Sequence, residues 1–177
     1  INAIANRKWL GPRGKPEPLL TETEKQHLQI QRGTLSQEER QIINNHVSVT
    51  IKMLESLPYP KGLKNVPLLA GCHHEKINGT GYPRGLTKDQ MPMQARMIAI
   101  ADVFEALTAE DRPYKKSMPL SQTLTILGKM KVDGHIDPDL FDVFMDAKIY
   151  LKYGEKHLKK DTLDLVDLNK IPGYHPL

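Results

Sequence analysis

The sequence from Pro92 to Ala109, PMQARMIAIADVFEALTA, has the period of an amphipathic helix over its whole length. Apolar residues recur along one broad face of such a helix, which predicts that this face packs against a protein core. The stretch contains no glycine, and its only proline is at the first position, where a helix tolerates it. The residues of the predicted apolar face are Met97, Ile98, Ala101, Phe104 and Leu107.

The sequence on either side of this helix predicts further helices and no sheet. Ser36 and Glu39 have the spacing of a capping box, and they open a pattern of apolar residues that ends at Pro58. No segment alternates persistently with period two, and no hairpin signal separates two strand-like runs. The predicted fold class is therefore all-α. The other predicted helices are about Glu22 to Ile30, Asn65 to His74, Ser121 to Val132 and Pro138 to Tyr153.

Composition limits the class of protein further. The 177 residues include 39% hydrophobic and 26% charged residues, which suits one domain with a sizeable core. No apolar run approaches the length that a membrane span needs. The formal net charge of +4 is spread over scattered lysines, which we interpret as a solvated surface and not as a site for a nucleic acid polymer. The single cysteine, Cys72, fits a cytoplasmic location.

Three regions are expected along the chain. Residues 1–35 are interpreted as an irregular N-terminal segment or insertion, because residues 11–18 are rich in helix breakers. Residues 36–155 form the predicted helical domain. Residues 156–177 are a polar C-terminal tail for which no ordered element is predicted. Because the sequence begins with Ile and not Met, we expect it to be part of a longer protein.

Four side chains that can bind metal ions occur within these helical patterns: His46, His73, His74 and Asp102. Each histidine alone is more typical of a hydrogen-bonded core residue than of a ligand. Asp102 is flanked by Ala101 and Val103, and a buried carboxylate needs a cationic partner. A metal ion would provide that charge, and imidazole with carboxylate suits zinc, iron or manganese.

The two adjacent histidines leave two arrangements open. In a regular helix His73 and His74 would point about 100° apart, so they would not share one ion easily. They could serve two neighbouring ions, or one could be a ligand while the other supports it. A carboxylate that bridges two ions is typical of two-metal hydrolases, which makes Asp102 the candidate bridging and catalytic residue together with the histidine pair.

A loop and two basic residues complete the pattern. Gly81, Tyr82 and Pro83 predict a tight turn that presents an aromatic ring near the histidines, although glycines of this kind are also typical of simple connecting turns. Arg112 and Lys115 follow the long helix. Arginine offers a bidentate fork for phosphate and lysine a point charge, although isolated basic residues are more often on the surface.

Together these motifs resemble the HD-GYP domain family. The resemblance covers roughly residues 33–150 and is carried by HHEKINGTGYPRGL at 73–86, ARMIAIADVFEALT at 95–108 and RPYK at 112–115, with NNHV at 44–47 and HIDP at 135–138. It implies an all-helical bundle of the HD superfamily, incomplete at its N-terminus. It also implies a phosphodiesterase of the bacterial second messenger cyclic di-GMP, with pGpG or GMP as product and two or three divalent metal ions, iron or manganese, as cofactors.

The resemblance assigns roles to individual residues. His46, His73, His74 and Asp102 match metal ligands of the family. Arg112 and Lys115 match positions that contact the nucleotide, and Tyr82 belongs to the signature loop at the edge of the site. That loop also implies a contact with diguanylate cyclase (GGDEF) domains.

Two features depart from the family pattern. Asn78 occupies a loop position where the family usually has Asp, which we expect to weaken a hydrogen bond without affecting a ligand. The His-Asp pair that gives the family its name is absent, since none of the seven histidines is followed by Asp. Either the pair precedes Ile1 in a longer protein, which we favour, or it has been lost. We expect the 177 residues alone to bind metal weakly and to hydrolyse little.

Two functions of different kinds follow from these observations. One is a cyclic di-GMP phosphodiesterase. The alternative is a catalytically inactive module that senses cyclic di-GMP or docks a partner through the Gly-Tyr-Pro loop. Nucleotide phosphohydrolases of the wider HD superfamily are a third class, and the presence of this loop argues against them.

Overall fold

A computed structural model of the chain describes residues 1–12, 14–30, 36–109 and 118–176. Helices dominate these residues, and the only sheet within them has two strands of three residues each. The all-α class is therefore confirmed. The helices are α1 (Asn2–Ala5), α2 (Glu22–Leu28), α3 (Gln37–Glu55), α4 (Val66–Gly71), α5 (Met93–Thr108), α6 (Leu120–Val132), α7 (Pro138–Asp146) and α8 (Ile149–His157), and the strands are β1 (Lys8–Leu10) and β2 (Pro16–Pro18).

The chain divides into two compact units, Ile1–His46 and Val47–Leu177. The division falls inside α3, between two consecutive residues of one helix. The first unit contains an antiparallel hairpin in which Lys8 pairs with Pro18. Its turn is closed by the amide of Gly11, which donates to the Lys15 carbonyl at 3.0 Å. The expectation that the chain contains no hairpin is wrong here, because strands this short give too little alternation to detect.

Helix α3 starts as the capping box predicts. The Ser36 amide donates to the Glu39 carboxylate at 2.8 Å, and the Glu39 amide donates to the Ser36 hydroxyl at 3.2 Å. These bonds satisfy amides that have no partner within the helix. Further along the helix, Val47 and Ile51 are buried as the apolar pattern predicts, but Ile42 and Ile43 of the same pattern are exposed.

The main core of the second unit lies among α5, α6, α7 and α8. Phe104 of α5 makes edge-on contacts with Phe144 of α7 and Tyr153 of α8, at ring centroid distances of 5.2 and 5.6 Å. Such edge-to-face pairs contribute beyond the burial of their area. Leu120, Leu124 and Leu127 of α6 are also fully buried in this core.

Helix α5 buries a different face from the predicted one. Phe104 is buried, but Met97 is 53% exposed and Ile98 is 40% exposed. The face that packs inward includes Ala95 and Ala99, whose small side chains permit close approach to neighbouring elements. Met97, Ile98 and Ala101 instead line an open apolar groove together with Val143 of α7 and Ile149 of α8, among others.

A second, smaller core is formed by residues of α4, α5 and the chain between them. Cys72, Met91 and Ala95 are buried together in it, and Leu68, Leu69 and Leu86 pack against them. This cluster joins the end of α4 to the start of α5.

The C-terminal half of the second unit differs from the sequence analysis in two ways. The helix predicted over Pro138 to Tyr153 is two helices, because Lys148 adopts a left-handed conformation with φ of 51° and ends the first. Residues 162–176 pack against the core, where Ile171 and Tyr174 are buried. The Tyr174 hydroxyl donates to the Asp146 carboxylate at 2.6 Å, which raises the pKa of Tyr174 to about 12.

Within the described residues, no helix is both long enough and apolar enough to cross a membrane.

Candidate metal centre

The two adjacent histidines lie in a turn and not in a helix. Helix α4 ends at Gly71, with Cys72 as its C-cap, so His73 and His74 follow the helix. The expectation that α4 extends to His74 is wrong. The geometric objection to a shared ion assumed a regular helix and therefore does not apply. In the turn, the ring centroids of His73 and His74 are 4.2 Å apart.

Three histidines of the sequence analysis come together. His46, His73 and His74 each offer one ligand atom, and these atoms all lie within 4.8 Å of one another. His46 is exposed, while His73 and His74 are partly buried. Three imidazoles are a donor set that suits a transition-metal ion, so these residues fit the metal that the family resemblance implies.

Backbone hydrogen bonds select the nitrogen that is available as a ligand on two of these rings. Nδ1 of His46 contacts the Ile43 carbonyl, and Nδ1 of His73 lies 2.6 Å from the Ala70 carbonyl. A carbonyl oxygen only accepts, so Nδ1 must carry the proton and donate in both cases. This leaves Nε2 as the basic nitrogen. Metal-binding histidines are commonly oriented in this way by a bond from their other ring nitrogen.

The signature loop places an aromatic ring directly on this group. The Tyr82 ring stacks on the His74 ring with centroids 4.8 Å apart and an interplanar angle of 21°. The Tyr82 amide also donates to the His74 carbonyl at 3.3 Å. Burial raises the pKa of the Tyr82 phenol, and the negative charge of Asp102 raises it further. Tyr82 is therefore a neutral hydrogen-bonding group at the edge of the histidine cluster.

Glycine is required at position 81 because the neighbouring backbone leaves no space for a Cβ. A Cβ built on Gly81 would lie 2.4 Å from the Lys76 nitrogen and 2.5 Å from the Glu75 Cα. Both are backbone atoms, which cannot move aside as a flexible side chain can. The loop therefore folds back tightly onto the residues that follow the histidine pair. Pro83, the last signature residue, is exposed.

Glu75 is a residue to which the sequence analysis gave no role. Its side chain is 1% exposed, and its two carboxylate oxygens accept hydrogen bonds from the amides of Arg84, at 2.7 Å, and Leu86, at 2.9 Å. A signal was present in the sequence, since an acidic residue directly before a glycine-rich loop can accept the loop's amides. The partner amides could not be identified without the structure.

Asp102 differs from its predicted environment. It is exposed on α5, and so is its neighbour Ala101. Asp102 is therefore not a buried carboxylate that requires a cation, and the prediction of a buried environment for it is wrong. Asp102 is not among the residues of the histidine group, although its charge acts on Tyr82. Its assignment as a metal ligand remains a prediction that depends on the family resemblance.

Arg112 and Lys115 lie outside the described residues, so their predicted contacts with the nucleotide remain predictions. Arg96, another basic residue near Asp102 in the sequence, pairs instead with the buried Asp137 at the start of α7.

The loop is also fixed to the junction between α6 and α7. The amides of Ile77 and Asn78 donate to the carbonyls of His135, at 3.2 Å, and Gly134, at 3.1 Å. The Asn78 side chain accepts from the Thr80 hydroxyl at 2.7 Å and donates through Nδ2 to the Asp133 carbonyl at 3.1 Å. An aspartate could not donate this last bond, so Asn78 adds an anchor that the sequence analysis did not predict.

His135 lies in the same region with a perturbed side chain. Burial lowers the pKa of its imidazole, and the charges of Lys76 and His74 lower it further, while Asp133 opposes them. The histidine is therefore held in its neutral form beside the loop.

Comparisons with known proteins identify the family of the chain. The sequence matches the HD domain family over residues 23–140. The protein named 3'3'-cGAMP-specific phosphodiesterase 3 of Vibrio cholerae is 38% identical over 115 residues, which cover 65% of this chain and 24% of that protein. A cyclic di-GMP phosphodiesterase of Pseudomonas aeruginosa is 33% identical over 138 residues, covering 78% of this chain and 30% of that protein. A cyclic di-GMP phosphodiesterase of Thermotoga maritima is 31% identical over 117 residues, covering 64% and 30%.

The chain belongs to the HD domain family, and the relatives named as cyclic dinucleotide phosphodiesterases confirm its resemblance to the HD-GYP proteins. The match spans less than a third of the length of each of these three relatives.

Proposed function

We propose that this chain is a metal-dependent phosphodiesterase domain that hydrolyses cyclic di-GMP to pGpG or GMP. The observation that carries the proposal is the group of His46, His73 and His74 with the Tyr82 ring stacked at its edge. Three imidazoles suit a divalent transition metal, and an adjacent aromatic face suits a nucleobase. The names of the relatives, which include cyclic di-GMP phosphodiesterases, support the same substrate class.

In this proposal the three histidines hold the metal and Asp102 is a further ligand and candidate bridge. The site would take two or three divalent ions, iron or manganese. Such ions stabilise negative charge on phosphoryl oxygens and lower the pKa of water. The hydrogen bonds from Nδ1 of His46 and His73 fix the orientation of both rings before any ion binds.

The remaining residues of the proposal bind the nucleotide. Tyr82 offers a ring face and a neutral hydroxyl at the edge of the histidine group, where a guanine base or a phosphate oxygen would lie. Arg112 and Lys115 would contact the phosphates, arginine through a bidentate pair of hydrogen bonds and lysine as a point charge.

A closely related substrate has its own support. Relatives of this chain are also named for 3'3'-cGAMP, among them a second Vibrio cholerae protein that is 46% identical over 76 residues. Both molecules are cyclic dinucleotides that contain guanine, so the site proposed here suits either.

A second candidate function is a module that binds cyclic di-GMP, or a diguanylate cyclase (GGDEF) domain through the Gly-Tyr-Pro loop, without catalysis. The observation that favours it is the absence of any His-Asp dipeptide from the 177 residues. For both candidates we infer a cytoplasmic location, which the free, buried Cys72 supports.

Substrate profiling of the full-length protein separates these possibilities. The protein would be loaded with Mn²⁺ or Fe²⁺ and incubated separately with cyclic di-GMP and 3'3'-cGAMP, and the products resolved by chromatography. The proposal predicts a linear dinucleotide or mononucleotide from cyclic di-GMP that disappears when a chelator is added. Cleavage of 3'3'-cGAMP but not of cyclic di-GMP would show that the proposed substrate is wrong. Tight binding of cyclic di-GMP without any cleavage would contradict the enzyme and support the binding module.

A further inference from the structure

The Glu75 carboxylate is buried, and it accepts hydrogen bonds from two backbone amides just after the Gly-Tyr-Pro signature. Its side chain is 1% exposed, and the amides of Arg84 and Leu86 donate to its two oxygens at 2.7 and 2.9 Å. Burial of a carboxylate is costly unless hydrogen bonds compensate it. Both oxygens accept backbone amides, and Glu75 is not part of the histidine group.

These two bonds connect the histidine pair to the far side of the loop. Glu75 directly follows His74, whereas Arg84 and Leu86 come after Tyr82. The two hydrogen bonds of the Glu75 side chain therefore hold the backbone before and after Tyr82 together. Beside these bonds, the Tyr82 amide donates to the carbonyl of His74, the residue before Glu75, and the backbone at Gly81 lies against that of Glu75.

We propose that Glu75 is a positioning residue that holds the signature loop in the form in which Tyr82 stacks on His74. It acts through Tyr82 and does not touch the nucleotide itself. A test that measures turnover of a cyclic dinucleotide depends on the proposed function. A test that measures the resonances of the His74 imidazole does not depend on it.

A spectroscopic experiment tests the inference independently of activity. The Tyr82 ring current shifts the resonances of the His74 imidazole protons as long as the two rings are stacked. Glu75→Gln keeps the shape of the side chain but places an NH₂ group where one oxygen accepted an amide, so the loop should open. We expect this variant to lose the Tyr82-dependent shift of the His74 resonances. We also expect hydrogen exchange at the Arg84 and Leu86 amides to become at least about tenfold faster.

The double variant with Tyr82→Ala separates positioning from general stabilisation. If Glu75 acts through Tyr82, Glu75→Gln should cause no further change in the His74 resonances or in the KM for cyclic di-GMP once Tyr82 is removed. The inference would be overturned if the two substitutions act independently, so that their fold-changes in KM multiply in the double variant. A wild-type protein without hydrolytic activity would overturn only the proposed function, because the His74 resonances and amide exchange still report on the loop.

Asp137→Asn is the matched control. Asp137 is equally buried, and its carboxylate also accepts two backbone amides, those of Asp139 and Leu140, at the start of α7. Its substitution should lower the stability of the protein but leave the His74 resonances in place. The same loss of the Tyr82-dependent shift in this control would mean that any destabilisation opens the loop, which would contradict a specific role for Glu75.

Glu75→Asp is a second variant in case Glu75→Gln does not fold. It keeps the charge but shortens the side chain, so at most one amide should remain bonded.

Discussion

The Tyr82 ring stacks on the imidazole of His74 with their centroids 4.8 Å apart. The contact couples the signature loop to the histidine group, because the same His74 offers a ligand atom to that group. A change in the position of the Tyr82 ring would therefore alter a contact of a candidate metal ligand.

Substitution of Tyr82 tests the value of this stacking. Tyr82→Phe keeps the ring and should retain cyclic di-GMP hydrolysis within about threefold of wild type. Tyr82→Ala should lose about tenfold, which corresponds to a stacking contribution of about 1.4 kcal/mol. Steady-state kinetics of the full-length protein provide the measurement. Equal losses in both variants would show that the hydroxyl and not the ring is important.

Gly81 tests the close approach of the loop to the backbone. Gly81→Ala would place a methyl group 2.4 Å from the Lys76 nitrogen, so the loop must shift. We expect a loss of about 1–3 kcal/mol in the free energy of unfolding, measured by urea denaturation. Gly62→Ala is the control, since nothing lies within 4 Å of a Cβ at that position. A similar loss in both variants would contradict the steric explanation.

The buried Asp137 carboxylate should make stability depend on pH. Burial alone would raise the pKa of this group, but hydrogen bonds from Arg96, Lys88 and the amides of Leu140 and Asp139 hold the pKa below its ordinary value. A carboxylate whose pKa is lowered by folding stabilises the folded state above its unfolded pKa of about 3.9, and this contribution is lost as pH falls through the folded value. Asp137→Asn should therefore cost about 3 kcal/mol at neutral pH and less in acid.

Urea denaturation between neutral pH and about pH 3 measures this difference, the lower limit lying below the unfolded pKa. Asp139→Asn is the control, since Asp139 pairs with the same Lys88 but its side chain is 81% exposed. We expect the control to change stability by no more than about 0.5 kcal/mol at any pH. A cost of Asp137→Asn that stays constant with pH would refute the role assigned to its charge.

The all-α class and the candidate histidine ligands can be predicted from the sequence, because both depend on local pattern and residue type. The Ser36–Glu39 capping box and the apolar periodicity of α3 and α5 are local signals, and the helices begin where these signals place them. Other features depend on tertiary packing. Lys148 adopts a left-handed conformation for which lysine gives no signal, so the break between α7 and α8 was not predicted.

The errors at the site have the same origin. Apolar residues cover much of the surface of α5 and do not indicate which side faces the core, so the sequence predicts a buried Asp102 although this side chain is exposed. The role of Glu75 depends on the amides of Arg84 and Leu86, which approach it only when the loop folds back.

Binding of Mn²⁺ by the full-length protein tests the central claim most directly. Calorimetric titration would compare wild type with His73→Ala and with His157→Ala, a histidine on α8 that contacts Tyr153. The proposed centre predicts that His73→Ala weakens Mn²⁺ binding at least about 100-fold, since loss of even a supporting group costs 10–100-fold. His157→Ala should bind as wild type does. Unchanged Mn²⁺ affinity in His73→Ala would contradict the metal centre and, with it, the proposed phosphodiesterase.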